Sequence, residues 1–483
     1  MIKTAKIVLS VFLLFIYFKG VAQRNVSLDE ALFLMREKSL EFKSIQRNAR
    51  IEKVQYAIYK NSFLPRVDLN VSLPTYSRAI NSITQPNGEN TFIEQSQANS
   101  TFDFNISQKI PLTGGTLILN SSINRLDLIS SNRTSFSSNW FNVLLNQPLN
   151  GYNIYKWGKK INKVKFDKNN IDIYKDLESL RNDLVNLFFS VYLSEKKIEL
   201  TKNNINLTNE YLNISEEKLK QGRILEADVI KVRLSLNQLK SKLENDQLKY
   251  KNDVLKLKDL IGVKEQDSIS LLMPDILKKP EINIEILQDR LQRFTLDYGY
   301  DLALLESERD LDKAKKNKGI QIELQIAYGL NSNSDNFDDL YSIPSRREYV
   351  NFGLRIPILN WGENDNRYTI QKLVNDGLKE NYKQNKRKLK IRAANILNNI
   401  ESAYLQIKYT NENRKLAKIN VEGSYEQLKL DRLTIYDFKR ELFEEEKTFI
   451  EYVNNVKTLW ITKFILRETT LYDFFLKEPL FRE

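Results

Sequence analysis

The 483-residue chain contains no cysteine and no histidine. Without cysteine there is no disulfide framework, no thiolate nucleophile and no lipid-modified N-terminal cysteine. Without histidine, His-based triads and His-containing metal sites are excluded, and acid–base chemistry near neutral pH is left to carboxylates. The 62 Asp and Glu residues are spread through charged helical stretches. The chain is therefore expected not to be an enzyme, and to use no metal and no cofactor.

Helix breakers are scarce too, with 10 Pro and 15 Gly in the whole chain. Lys159 to Gln221 contains neither, nor does Arg223 to Ile261. Sixty helical residues would reach ~90 Å at 1.5 Å per residue, far beyond the usual three or four turns. Long apolar runs are also missing: after the N-terminus, no segment has the ~18 consecutive apolar residues of a membrane-spanning helix. The mature protein is thus soluble, or it crosses a membrane by strands.

At the N-terminus, Lys3 and Lys6 precede the apolar run Ile7 to Phe18, which leads to the small residues Gly20 and Ala22. This order marks residues 1–22 as a secretory signal peptide cleaved after Ala22. A membrane anchor is the rival reading, but twelve apolar residues span only ~18 Å. Removing Lys3, Lys6 and Lys19 lowers the formal net charge from +12 to +9. The remaining basic residues alternate with acids, as in Arg440 to Lys447, which suits a solvated helix face better than a phosphate track. No nucleic acid is expected as a partner.

The chain repeats itself after 209 positions. Pro148, near the end of the run Trp140 to Leu149, falls on Pro357; Gly222 to Val229 falls on Asp431 to Phe438. A repeat this long sets the architecture before any local reading does. Residues 23–275 form the first copy: an N-terminal helix from about Ser27 to Ser62, strands over about 66–149, and a helical hairpin over about 152–262. Residues 276–483 form the second: a helix over about 284–316, strands over about 320–359, and a hairpin over about 363–475. Ser27 to Glu30 reads as a capping box. Pro274 to Pro280, with Gly299 beyond, marks the joint between the copies.

Along the hairpins, apolar residues recur at spacings of three and four, as in coiled coils. Val229, Val232, Leu236, Leu239 and Leu243 show this, as do Leu389, Ala393, Ile396, Ile400, Ala403 and Ile407. Upstream, one seam position turns polar at Ser194, Thr201, Thr208 and Ser215. Either that half of the seam lies nearer water, or it is ordinary surface polarity. The strands show period two instead. Val67, Leu69, Val71 and Leu73 alternate with polar residues, as do Ile320 to Leu330 and Val350 to Ile358. Such alternation fits a half-buried sheet or a barrel wall.

Taken together, these features resemble the TolC family of outer-membrane channels, over nearly the whole mature chain. The carrying residues are the Ser27–Leu32 helix start, Phe63–Val67, the strand-to-helix passages Asn146–Leu149 and Arg355–Gly362, the tip Gly222–Val229 and its return helix ending at Leu257–Gly262. The resemblance implies an α+β membrane protein: a homotrimer whose strands share one outer-membrane barrel, continued by a long periplasmic α-helical coiled-coil barrel. It implies an outer-membrane channel of a tripartite efflux or type I secretion system, working with a periplasmic adaptor and an inner-membrane pump. The hairpin tips are then the docking candidates: Gly222, Arg223, Ile224 and Asp228 in copy one, Arg432, Leu433 and Asp437 in copy two. Asp228 and Asp437 are also placed to cap the return helices. The alternative is a periplasmic coiled-coil adaptor or scaffold.

Two departures stand out. Strand Val67–Leu73 and its counterpart at Ile320–Leu330 differ by about 254 positions. Copy one therefore carries about 45 extra residues, including a hairpin around Pro111–Gly115. Its two strands either join the barrel wall, adding to the family's usual four per chain, or extend beyond the membrane. At the second tip, Asp431 stands where the first has Gly222; Asp tolerates the left-handed conformation better than most residues.

Overall fold

In the computed structural model, residues 24–481 are described; the expected signal peptide lies outside them. A short strand β1 (Arg24–Val26) precedes helix α1 (Leu28–Lys38), which Ser27 caps by accepting the Glu30 N–H at 3.2 Å. The expected single helix to Ser62 is in fact two. Ser39, with φ −57° and ψ 134°, interrupts the path, and its hydroxyl accepts the Phe42 N–H at the start of α2 (Leu40–Asn61). A serine can supply both a break and the next cap because its side chain competes for backbone donors.

Four strands follow: β2 (Arg66–Thr84), β3 (Asn90–Ile110), β4 (Gly115–Leu128) and β5 (Arg133–Pro148). The first hairpin is α3 (Ile154–Lys220) and α4 (Glu226–Ile261). After β6 (Ile269–Leu271), the helix expected over 284–316 appears as α5 (Ile284–Gln292), a π-turn at Arg293–Asp297, and α6 (Tyr298–Lys318), which runs through Gly299. Strands β7 (Gln321–Ser334) and β8 (Ser345–Arg355) lead to the second hairpin, α7 (Glu363–Lys429) and α8 (Ile435–Thr470). The two-residue strands β9 (Tyr472–Asp473) and β10 (Glu478–Pro479) pair with each other near the C-terminus. Helices α3 and α7 both have 67 residues, and α4 and α8 both have 36.

The chain forms two compact units, each drawing on both copies. The sheet unit comprises Arg50–Asn169 and Leu296–Asn385. Its six strands make one antiparallel sheet in the order β2-β3-β4-β5-β7-β8. Strands β5 and β7 join the copies, and Asn150 extends their ladder by accepting from Ile322 N at 2.9 Å and donating to Ile320 O. Aromatic stacking supports the neighbouring helices, with Tyr56 on Phe166 at 4.3 Å and Tyr300 on Tyr382 at 4.0 Å. Burial, and the Asp297 carboxylate that accepts its proton, push the Tyr382 hydroxyl up to about 12.

The helical unit comprises the residues up to Ala49, Asn170–Thr295 and those from Lys386 onward. Phe188, Phe189, Leu257, Ile261, Val453 and Leu459 are fully buried in its core with Met35 of α1. Strands β1 and β6, which are parallel, close that core at Val26 and Leu271. The hydroxyl positions correct both sequence readings: Ser194, Thr201, Thr208 and Ser215 are all buried. Thr208 donates to Asn204 O at 2.7 Å and Ser215 to Tyr211 O at 2.8 Å. Such i−4 bonds satisfy a hydroxyl without water.

One charged cluster sits inside the same unit. Arg467 reaches Glu178 at 2.8 Å and Asp473 at 2.5 Å, and Arg181 also bonds Glu178. Glu178 and Asp473 are buried, and Asp473 further accepts from Phe475 N and Leu476 N. Two cations balance two carboxylates. Burial, then the neighbouring Arg467, lowers Arg181 to about 10. Replacing Arg467 with Met would leave both carboxylates buried against one remaining cation. We expect a loss on the order of 3–5 kcal/mol, read as a lower denaturation midpoint; an unchanged midpoint would mean that water compensates the cluster.

Candidate functional site

The sheet has two chemically distinct faces, because its register keeps like residues together. On one face, Val71, Phe102 and Ile123 lie side by side across β2, β3 and β4; Leu117, Leu145, Ile326 and Val350 do the same across β4, β5, β7 and β8. Many of these large apolar side chains face outward into open space: Leu69 is 64% exposed and Phe352 67%. On the other face, one cross-strand row reads Asp68, Asn105, Asn120, Asn142, Gly329, Arg347. Amides bond along it: Asn120 donates to Asn105 at 2.8 Å and also to Asp103, and Asn139 donates to Ser122 Oγ at 2.8 Å. Gly329 is required there, since a Cβ would stand 2.6 Å from Phe141 O beside the bulge at Trp140.

Aromatic residues mark both ends of the strands. Trp140 packs beside Tyr341 with the rings tilted and their centres 5.4 Å apart, and donates its indole N–H to Ser332 Oγ at 3.0 Å, while Phe136 meets Phe337. At the helix-bearing end stand Tyr155, Phe63 and the exposed Trp361. An apolar band flanked by aromatic rings, with polar groups on the reverse face, is the pattern of a bilayer-spanning barrel wall. Among the described residues no helix is long and apolar enough to cross a membrane.

The hairpin tips lie within the helical unit and share one backbone design. Gly222 (φ +71°) ends α3, with Gly222 N bonded to Leu219 O at 2.9 Å and Arg223 N to Lys218 O at 2.9 Å. Asp431 (φ +59°) ends α7 in the same way, with Asp431 N on Leu428 O and Arg432 N on Gln427 O. Both are Schellman closures, so Asp431 takes the left-handed place of Gly222. The carboxylate has a second partner: Lys218 Nζ lies 2.6 Å from Asp431 and 3.1 Å from Lys429 O, which ties the two tips together.

The return helices correct one expectation. Asp228 and Asp437 are not the N-caps; Leu225 and Thr434 are, and the acids stand three residues later. Thr434 Oγ1 accepts from Asp437 N at 3.2 Å and donates to its carboxylate at 2.7 Å. Asp228 bonds Lys231 at 2.9 Å, and this contact holds its carboxyl below the usual range, assisted by the Leu225 backbone. Arg223 and Arg432 are exposed, whereas Ile224 and Leu433 are half-buried, Leu433 against the cluster of Val421, Leu428 and Phe438. Sequence reading missed a further tie, Tyr425 to Glu210 at 2.7 Å. Burial, then the carboxylate that accepts its proton, raises the Tyr425 hydroxyl well above its ordinary value. A tyrosine inside a helical seam was the available signal. Among the described residues no acidic group of three or more is placed to hold a metal ion.

No protein-family model matches the chain, and no curated protein matches it. Solved structures do. The Campylobacter jejuni CmeC outer membrane channel is 17% identical with a TM-score of 0.62, covering 94% of this chain and 87% of that one. The outer-membrane channel OprN is 12% identical with a TM-score of 0.62, covering 92% and 89%. The open state of the Neisseria gonorrhoeae MtrE outer membrane channel is 12% identical with a TM-score of 0.58, covering 92% and 88%. The chain therefore shares the fold of these channel structures along nearly its whole length.

Two tip substitutions separate backbone from side-chain effects. Gly222→Val should cost about 1–2 kcal/mol locally, because a β-branched residue resists positive φ, and should speed hydrogen exchange at the first tip. Thr434→Ala should cost about 1 kcal/mol through the lost cap, with faster exchange confined to the start of α8.

Proposed function

We propose that this protein is the outer-membrane channel of a tripartite efflux or type I secretion system. Three copies pool their strands into one barrel, and their twin hairpins assemble into a periplasmic tunnel. The chain is a passive conduit rather than an enzyme. The observation that carries this reading is the two-faced sheet: an exposed apolar band with aromatic margins on one side, amides and hydroxyls on the other. In lipid every backbone group must be paired within protein, so such a sheet can only work as part of a closed wall. A coiled-coil adaptor or scaffold in the periplasm would leave that band facing water.

The tips suit docking of a periplasmic adaptor that links the channel to an inner-membrane pump. Exposed Leu225 and Tyr436 flank Arg223 and Arg432, and apolar anchors beside arginines are common interface centres. The tie from Lys218 to Asp431 bears on whether the two hairpins stay together at this end.

Membrane fractionation and planar-bilayer recording test the reading together. The mature protein is expected in the outer membrane, as an oligomer that conducts; a monomer confined to the soluble periplasm sinks it. Leu225→Asp combined with Tyr436→Asp should abolish export in cells while leaving purified-channel conductance within about twofold of the parent. Loss of conductance as well would move these residues from docking to the pore.

A further inference from the structure

We propose that all six strands of each chain enter the channel wall, so that three copies close an 18-stranded barrel through a β2–β8 seam between neighbours. The inference rests on the trimeric-channel reading above and specifies how its wall is built.

By the 209-residue repeat, β5 corresponds to β8; by the 254-residue displacement, β2 corresponds to β7. In copy two, β7 and β8 pair directly. In copy one, β3 and β4 lie between the two equivalent strands, as an insertion inside the sheet and not an appendage on its edge. β3 pairs with β4 along the whole of β4, from Ile110 opposite Gly115 to Gln97 opposite Leu128. A wall of four strands per chain would have to break either the β2–β3 and β4–β5 ladders, re-pairing β2 with β5, or the β3–β4 ladder, leaving β4 at the seam. Each abandoned backbone group would then need a new partner in lipid.

Among the described residues, β2 and β8 each pair on one side only. Their free edges match. The six strands alternate in direction, so β2 of one copy runs antiparallel to β8 of the next, like every other pair in the wall. Val67, Leu69 and Val71 share the apolar face with Val350, Phe352 and Leu354. Both faces therefore continue across the seam without inversion. Pro74 limits the pairable part of β2 to Arg66–Leu73, since it has no N–H to offer. Eight residues span about 26 Å at 3.3 Å each, which at the ~40° tilt of barrel strands covers about 20 Å of the ~25 Å apolar band.

Beyond Pro74 the β2–β3 hairpin changes character. Residues Asn90–Ser96 of β3 pair with β2 alone, past the end of β4. Polar cross-strand contacts there are Arg78 with Glu94, Asn81 with Gln95 at 3.0 Å and Thr84 with Asn90 at 2.8 Å, beside the exposed apolar Ile80 and Phe92. The insertion thus contributes its base to the wall, and the end of the β2–β3 hairpin extends past β4. Because barrel diameter grows roughly linearly with strand number, eighteen strands give a lumen about half again as wide as twelve.

The cysteine-free chain allows a clean test by disulfide trapping. Leu69→Cys would be combined with Val350→Cys, Phe352→Cys or Leu354→Cys to cover adjacent registers, and Leu119→Cys with Phe352→Cys would report a β4–β8 seam. In oxidised outer membranes, at least one β2–β8 pair should convert monomer bands to covalent trimers, and the β4–β8 pair should not. A trimer trapped by the β4–β8 pair, or by none of the β2–β8 pairs, overturns the seam and leaves the channel reading standing. A monomer in the soluble periplasm overturns both. Cryo-electron microscopy of the unmodified trimer gives an independent count: eighteen strands support the proposal, and twelve refute it.

Discussion

The demand that every backbone N–H and C=O be paired governs the sheet, and through it the rest of the chain. A strand in lipid cannot leave an edge to the solvent, because no water is there to satisfy it. Between β2 and β8 the six strands meet this within the chain by antiparallel ladders, and among the described residues only the outer edges of β2 and β8 lack a strand partner in this sheet. The long connection between β5 and β7, which holds the whole first hairpin, does not interrupt that pairing; Asn150 even prolongs it with side-chain bonds to Ile320 and Ile322. The fold subordinates sequence distance to ladder completeness.

The helical unit meets the same demand at most of its buried polar groups, Thr201 Oγ1 being an exception with no hydrogen-bond partner. Its buried hydroxyls turn back on their own helix at Thr208 and Ser215, and its buried charges pair within the cluster of Glu178, Arg181, Arg467 and Asp473. Such a cluster is a weak source of net stability, since removing charges from water is costly. Its value lies in fixing how the end of α8 and the C-terminal turn meet α3, because each carboxylate oxygen accepts from a specific direction.

Much of this was legible in sequence because it rested on strong local rules. The lack of breakers revealed the long helices, period two revealed the strands, and Gly222 with its counterpart Asp431 revealed the tips. What escaped depended on tertiary context. Ser39 ends one helix and caps the next, yet neither Pro nor Gly announces it. Strands β1 and β6 are three residues each, too short for any periodicity to show. The hydroxyl seam looked solvent-facing because Ser and Thr usually are, and only the packing reveals that they are covered. The tip ties from Lys218 to Asp431 and from Tyr425 to Glu210 join residues more than two hundred positions apart, which no local pattern can couple.

The second copy carries a stripe of small residues at the same positions as that hydroxyl seam. Shifted by 209 positions, Ser194, Thr201 and Ser215 become Ala403, Thr410 and Ser424, all buried, and Thr208 becomes the half-buried Ala417. Small side chains let helices approach closely but present no knob to lodge in a neighbour's hole. Pulling such surfaces apart forfeits dispersion along their full length, so small residues at these buried positions favour close approach of the helices over interlocking.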